Sequence, residues 1–146
     1  MSSSTVLIVD DSPDDVRLTL RALKKSGVTN PVDIAADGQE ALDYLLPTDR
    51  TVTPALPALI LLDINLPKIN GLEVLRAIRA HDRTRYLPVV VLTTSNEERD
   101  IVETYNLGAN SFVRKPVVFG DFLEAVRVLG MYWLIVNQPV ANRTGG

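Results

Sequence analysis

Residues 58–71 read ALILLDINLPKING, in which an unbroken apolar run ends in an aspartate and a turn-forming segment. Because the run does not alternate between apolar and polar residues, it is typical of a strand covered on both faces in a parallel sheet. Two further runs of this kind lie at residues 6–9 and 89–92. Two weaker candidates lie at residues 32–36 and 111–114. The sequence therefore predicts five strands.

Each candidate strand is followed by a residue that can cap a helix, with an acid three positions later. The first side chain can accept a hydrogen bond from the free N–H groups of a first turn, and the acid favours the positive end of the helix dipole. The pairs are Ser12 and Asp15, Asp37 and Glu40, Asn70 and Glu73, Ser95 and Glu98, and Asp121 and Glu124. This alternation predicts a doubly wound α/β fold, with a parallel sheet, right-handed crossovers and helices on both faces.

Composition limits the range of functions. The chain has 146 residues, a formal net charge of −3 and no cysteine, which predicts one domain without disulfides or thiolate metal sites. The mild acidity argues against nucleic-acid binding, and no apolar run is long enough to cross a membrane. We expect a cytoplasmic domain over residues 1–146, with a core at about 5–130 and a helix extension and arm at 131–146.

The residues that leave each strand carry the candidate chemistry, because ligands of doubly wound sheets bind outside the carboxyl ends of the strands. Asp10 and Asp11 follow the first strand, Asp63 the third, Thr93 the fourth and Lys115 the fifth. Three neighbouring carboxylates repel one another unless a cation is present, and Mg²⁺ suits such oxygen ligands. A carboxylate such as Asp63 can attack phosphorus to form an acyl phosphate. The metal and Lys115 would neutralise charge, and Thr93 would bond a phosphoryl oxygen.

Four segments, taken in order, resemble the response-regulator receiver family of two-component signalling. They are VDD ending at Asp11, LLDINLPKING around Asp63, VVLTTS around Thr93 and SFVRKP around Lys115. The resemblance extends over roughly residues 6–130. It implies a flavodoxin-like (βα)5 fold with strand order 2-1-3-4-5. It also implies a sensor histidine kinase as partner and Mg²⁺ as cofactor.

The same resemblance implies a role for each matching residue. Asp63 is identified as the phosphoacceptor, and the implied metal ligands are Asp10, Asp11, Asp63 and the backbone carbonyl of Asn65. The implied switch hydroxyl, phosphate-contacting lysine and switch aromatic are Thr93, Lys115 and Phe112, with a cis peptide before Pro116. Phe112 fits a plain core aromatic equally well, since it lacks the hydroxyl of the family's hydrogen-bonded switch.

Finer features resemble regulators paired with phytochrome-type histidine kinases. These are the single-domain form, NLPK after Asp63, TTSN after the fourth strand, and Tyr132–Trp133 near the end of the chain. The resemblance implies a signalling protein rather than an enzyme, limited to self-catalysed phosphoryl transfer and slow autodephosphorylation. Two alternatives are a flavodoxin-like electron carrier, which needs a phosphate loop after the first strand, and an aspartyl-phosphate hydrolase. The hydrolase would carry its nucleophile after the first strand and needs a cap domain.

The last predicted helix has two apolar stripes where a core-facing helix needs one. The first stripe consists of Phe122, Val126, Leu129, Trp133 and Val136. The second consists of Val128, Tyr132 and Ile135, and Met131 and Leu134 add to it. Because a single domain cannot cover both stripes, the pattern predicts a homodimer through this helix and the arm that follows Pro139. The alternative is that the overhanging helix folds back onto its own sheet.

Overall fold

The computed structural model describes residues 5–49, 51, 55–94 and 106–128. The elements in these ranges are β1 (Val6–Val9), α1 (Pro13–Lys25), β2 (Val32–Ala35), α2 (Gly38–Leu45), β3 (Leu59–Asp63), α3 (Gly71–Ala80), β4 (Val89–Thr93), β5 (Ser111–Arg114) and α4 (Phe119–Val128). All four strand pairings are parallel, and the order is β2-β1-β3-β4-β5. This confirms the fold and the strand order. The helix predicted after Ser95 and the stripes beyond Val128 lie outside the described residues.

The sheet separates two apolar cores, which explains why its central strands are apolar at every position. Val6 and Ile8 of β1 face a core shared with α1 and α4, whereas Leu7 and Val9 face a core shared with α2 and α3. β3 and β4 are buried along their whole length. Among the described residues, no helix combines the length and the apolar content needed to cross a membrane.

Three of the predicted helix caps are confirmed. The Ser12 hydroxyl accepts a hydrogen bond from the backbone N–H of Asp15 at 3.2 Å, and the Asp37 carboxylate accepts one from that of Glu40 at 2.8 Å. At the start of α3, Asn70 and Glu73 cap each other's backbone N–H in both directions, at 3.0 and 3.4 Å. These caps fix where each helix leaves the loop that follows its strand.

The predicted cap at Asp121 is wrong. Helix α4 begins at Phe119, and the N–H of Phe122 already donates to the carbonyl of Val118 at 3.0 Å. Asp121 therefore lies inside the first turn, where its charge still faces the positive end of the helix dipole. The acid was the right signal for a helix start, but the helix begins three residues before the Phe122 start that a cap at Asp121 predicts.

Arg79, at the end of α3, connects three segments at the edge of the sheet opposite the carboxyl ends. Its guanidinium donates to the carbonyls of Gly108, Arg85 and Leu87 at 2.9, 3.0 and 2.7 Å, and to Asn110 Oδ1 at 2.8 Å. We call this group the Arg79 brace. It holds the entries to β4 and β5 against α3, because a guanidinium offers five donors in a rigid fork.

Replacing Arg79 with methionine should lower the free energy of unfolding by about 2–3 kcal/mol, since it leaves several carbonyls without a donor. Urea unfolding of Arg79→Met and of the control Arg76→Met would measure this. Arg76 is exposed on the same helix, so its replacement should change stability by less than about 0.5 kcal/mol. Equal effects of the two substitutions would show that the brace contributes nothing specific.

Candidate functional site at the carboxyl edge of the sheet

The parallel register brings the predicted site residues to one edge. Val9 pairs with Leu62, so Asp10 emerges beside the end of β3. Asp63 ends β3, and Thr93 ends the neighbouring strand β4. The N–H of Lys115 donates to the carbonyl of Thr93 at 3.0 Å, which continues the β4–β5 ladder by one residue. The strands thus end together, and their next side chains meet.

Asp63 is a buried carboxylate with a protein donor on each oxygen. Its Oδ1 accepts a hydrogen bond from the backbone N–H of Asn65 at 2.9 Å, and its Oδ2 accepts one from Lys115 Nζ at 3.0 Å. Only 3% of the residue is exposed. The two hydrogen bonds fix the orientation of the carboxylate, a group that can act as a nucleophile.

Asp10 is buried as deeply but is less completely paired. Its Oδ1 accepts a hydrogen bond from the N–H of Ser12 at 3.0 Å. Its Oδ2 lies 3.0 Å from Lys115 Nζ, but no described donor has hydrogen-bond geometry toward this oxygen. Because the Lys115 ammonium is shared with Asp15 and Asp63, this buried oxygen still has room for a further cation or donor.

The donor set at this edge fits a hard divalent cation. Asp10, Asp11 and Asp63 each offer a carboxylate oxygen, and these oxygens lie within 4.8 Å of one another. Asp11 is exposed, so the cluster opens to solvent on one side. Oxygen ligands with room for water and phosphoryl oxygens suit Mg²⁺. The incompletely paired Oδ2 of Asp10 is the observation that favours a cation here.

Lys115 sits at the centre of the acidic cluster, with 6% of its side chain exposed. Its ammonium lies 2.8 Å from Asp15 Oδ2 and 3.0 Å from an oxygen of each of Asp10 and Asp63. From the sequence, Asp15 was predicted only as an acid in the first turn of α1, and its contact with Lys115 was not predicted. No local signal distinguishes Asp15 from Asp14, because both are acids in the first turn of α1.

Burial and charge act in opposite directions on these groups. Burial raises the pKa of Asp10, and the Ser12 N–H and Lys115 only partly offset this effect. For Lys115, burial alone would lower the pKa, but Asp15, Asp10 and Asp63 together raise it above its usual range. The ammonium is therefore charged at neutral pH. Among the described residues, the carboxylates of Asp10, Asp11, Asp15 and Asp63 outnumber the ammonium of Lys115. This local excess of negative charge again favours a bound cation.

The structure also describes the remaining predicted residues. Thr93 is 3% exposed, and Asn65 is exposed beside Asp63. Phe112 lies in β5 opposite Val91, half-buried against the core of α2 and α3. The peptide bond between Lys115 and Pro116 is cis, as the family resemblance implies.

Gly71, where the loop from β3 joins α3, is in close contact with the end of β3. Gly71 begins α3, and its N–H donates to the carbonyl of Ile64 at 3.1 Å. A Cβ at residue 71 would lie 2.2 Å from the carbonyl oxygen of Asp63 and 2.4 Å from the Cα of Ile64. The backbone at the start of α3 is therefore in direct contact with the backbone of Asp63, whose side chain is the candidate nucleophile.

Comparison with known proteins agrees with this arrangement. A family model described as the response regulator receiver domain matches residues 6–127. The chain belongs to the response regulator receiver family. This confirms the resemblance seen in the four sequence segments and identifies the domain as one of two-component signalling.

Several similar proteins are response regulators, and a bacteriophytochrome response regulator is among them. The receiver is 37% identical to the response regulator Rcp1 of Synechocystis sp. over 137 residues, 93% of this chain and 93% of that protein. The bacteriophytochrome response regulator AtBRR superimposes with a TM-score of 0.78 and 45% identity, covering 94% of this receiver and 100% of AtBRR.

Two solved structures of similar proteins hold a metal ion or a phosphoryl group. An Mn²⁺-bound form of Rcp1 superimposes with a TM-score of 0.73 and 35% identity, covering 92% of this receiver and 96% of that chain. A phosphorylated cyanobacterial phytochrome response regulator, RcpA, does so with a TM-score of 0.73 and 36% identity, covering 91% and 95%. Relatives of this receiver therefore include a metal-bound and a phosphorylated structure.

Proposed function

We propose that this receiver accepts a phosphoryl group on Asp63 from the phosphohistidine of a sensor histidine kinase, and signals through contacts that depend on phosphorylation. The observation that carries the proposal is the setting of Asp63, which is buried, oriented by Asn65 and Lys115, and clustered with Asp10 and Asp11. A carboxylate held in this way can act as a nucleophile, with acids beside it that suit a divalent cation and an ammonium that suits phosphoryl oxygens.

The transfer step follows from this geometry. A carboxylate oxygen of Asp63 attacks phosphorus, and the new O–P bond forms as the N–P bond of the phosphohistidine breaks. The electron pair of that bond stays on the imidazole nitrogen. Lys115 balances charge on the phosphoryl oxygens, and the Thr93 hydroxyl donates to one of them. Positioning and charge neutralisation supply most of the catalysis in such transfers.

Mg²⁺ is the proposed cofactor. Asp10, Asp11 and Asp63, with the backbone carbonyl of Asn65, would hold it. When bound, it would neutralise the repulsion between these carboxylates and the incoming phosphoryl oxygens. The incomplete pairing of Asp10 Oδ2 and the Mn²⁺-bound form of Rcp1 support this assignment.

Incubation with acetyl phosphate or with a phosphorylated kinase, followed by intact-mass measurement, tests the proposal. We expect the receiver to gain the mass of one phosphoryl group in the presence of Mg²⁺ and to gain none after chelation. Uptake that is unaffected by chelation, or no uptake from either donor, would contradict the proposal.

Removal of the exposed carboxylate should weaken Mg²⁺ binding directly. We expect Asp11→Asn to raise the Mg²⁺ dissociation constant at least about tenfold, because a charged oxygen ligand is lost. Asp14→Asn is the matched control, since Asp14 is exposed and pairs with Arg17 instead. Calorimetric titration of both variants would measure the difference, and similar constants would exclude Asp11 as a ligand.

Signal output is assigned to Thr93 and Phe112. Formation of an aspartyl phosphate would draw the Thr93 hydroxyl toward the new oxygens through a charge-assisted hydrogen bond, and the adjoining loop and Phe112 would move with it. The proposed kinase is of the phytochrome type, supported by the likeness to AtBRR and RcpA. A flavodoxin-like role is disfavoured, because Asp10 and Asp11 stand where a phosphate loop would be needed.

We also propose one receiver domain over residues 1–146, located in the cytoplasm and dimeric through the helix that contains Phe122 and through the arm at 131–146. The stripes beyond Val128 lie outside the described residues, so the dimer rests on the sequence pattern. Light scattering should give the mass of a dimer for the full chain and of a monomer for a chain stopped after Gly130. A monomeric full chain at micromolar concentration would refute it.

A further inference from the structure

We propose that Asp15 is a positioning residue that competes with the phosphoryl group for Lys115, and so sets how strongly the receiver holds a phosphoryl group. This inference rests on the proposed function, since it concerns the same lysine and the same site. It assigns a task to a carboxylate that the transfer step described above does not use.

The contacts of the ammonium are the first step. Lys115 Nζ has three N–H donors and lies beside three carboxylate oxygens, of which Asp15 Oδ2 is the nearest at 2.8 Å. Asp15 comes from helix α1, whereas Asp10 and Asp63 come from strand ends. The helix cap fixes the N-terminal turn that carries Asp15, because the Ser12 hydroxyl accepts a hydrogen bond from the backbone N–H of Asp15.

The three partners differ in what phosphorylation does to them. Asp63 loses its negative charge when its carboxylate becomes an acyl phosphate, and Asp10 belongs to the proposed metal ligands. Asp15 keeps its charge and is 34% exposed, beside an ammonium that is 6% exposed. To bind Lys115, a phosphoryl oxygen must therefore compete with the Asp15 carboxylate, whose charge phosphorylation does not remove. Asp15 thus stabilises the state in which Lys115 is not committed to phosphate.

Beryllofluoride, a mimic of the phosphoryl group, provides a direct measure at saturating Mg²⁺. We expect Asp15→Asn to bind it at least about fivefold more tightly than the unmodified receiver, because the competing ion pair is gone. Asp14→Asn changes the formal charge equally, yet Asp14 pairs with Arg17. This control should bind as the unmodified receiver does. NMR titration would follow both and would report whether each variant is folded.

A second pair of variants separates competition for Lys115 from a general effect of charge. In a Lys115→Met background, the further change Asp15→Asn should no longer tighten beryllofluoride binding. The inference is overturned if the gain persists without Lys115, if Asp14→Asn shows the same gain, or if Asp15→Asn binds no more tightly than the unmodified receiver. Failure of the unmodified receiver to bind beryllofluoride at all would instead refute the proposed function, and this inference with it.

Discussion

The Asp63→Asn receiver should take up no phosphoryl group from acetyl phosphate or from a phosphorylated kinase. An amide oxygen is a far weaker nucleophile than a carboxylate, and we expect the rate to fall by at least about 10³-fold, as when a nucleophile is removed from an enzyme. The substitution keeps the shape of the side chain and should leave the fold intact. It also relieves Asp10 of a like charge that raises its pKa.

Intact mass measured over time would test this, with Asp82→Asn as the control. Asp82 is exposed in the turn after α3, so its amide variant should be phosphorylated at the rate of the unmodified receiver. The phosphoryl group on the unmodified protein should be stable in acid and labile in base, as expected for an acyl phosphate. Uptake by Asp63→Asn at the original rate would move the phosphoacceptor to another residue, with Asp10 and Asp11 the first to test.

The sequence predicted the residues of this site because most of them follow directly from the ends of strands. An apolar run fixes where a strand ends, and parallel pairing brings the ends together, so Asp10, Asp63 and Lys115 needed no tertiary information. Burial could be predicted in the same way for β3 and β4. The cis peptide before Pro116 came from the family resemblance rather than from the run itself.

Features that depend on how elements pack could not be predicted in this way. Asp14 and Asp15 are adjacent acids, and which one turns toward Lys115 depends on the position of α1 on the sheet. In the Arg79 brace, Arg79 bonds to Gly108 and Asn110, which are 29 and 31 positions away. The sequence of α3 alone does not predict these contacts. The start of α4 depends on the hydrogen bond that the Val118 carbonyl accepts from the N–H of Phe122, so a cap at Asp121 predicted a start three residues too late.

Gly71 illustrates the same limit at the site itself, and its replacement should have a large effect on stability. In the sequence it reads only as the end of a turn, whereas in the fold it is buried against the backbone of Asp63 and Ile64. An alanine Cβ would lie 2.2 Å from the Asp63 carbonyl oxygen, far inside van der Waals contact. Because both neighbouring atoms belong to the backbone, relief requires α3 or the end of β3 to move.

We therefore expect Gly71→Ala to lower the free energy of unfolding by about 3 kcal/mol, the upper end for overpacked positions. Phosphoryl uptake should also fall, since the displaced backbone carries Asp63. Gly120→Ala is the matched control, because a Cβ there meets nothing within 4 Å. In helix α4 it should raise stability by about 0.5–1 kcal/mol. Urea unfolding and intact-mass assays on both variants would measure these changes. A Gly71→Ala protein as stable and as readily phosphorylated as the unmodified receiver would show that α3 is free to shift without disturbing Asp63.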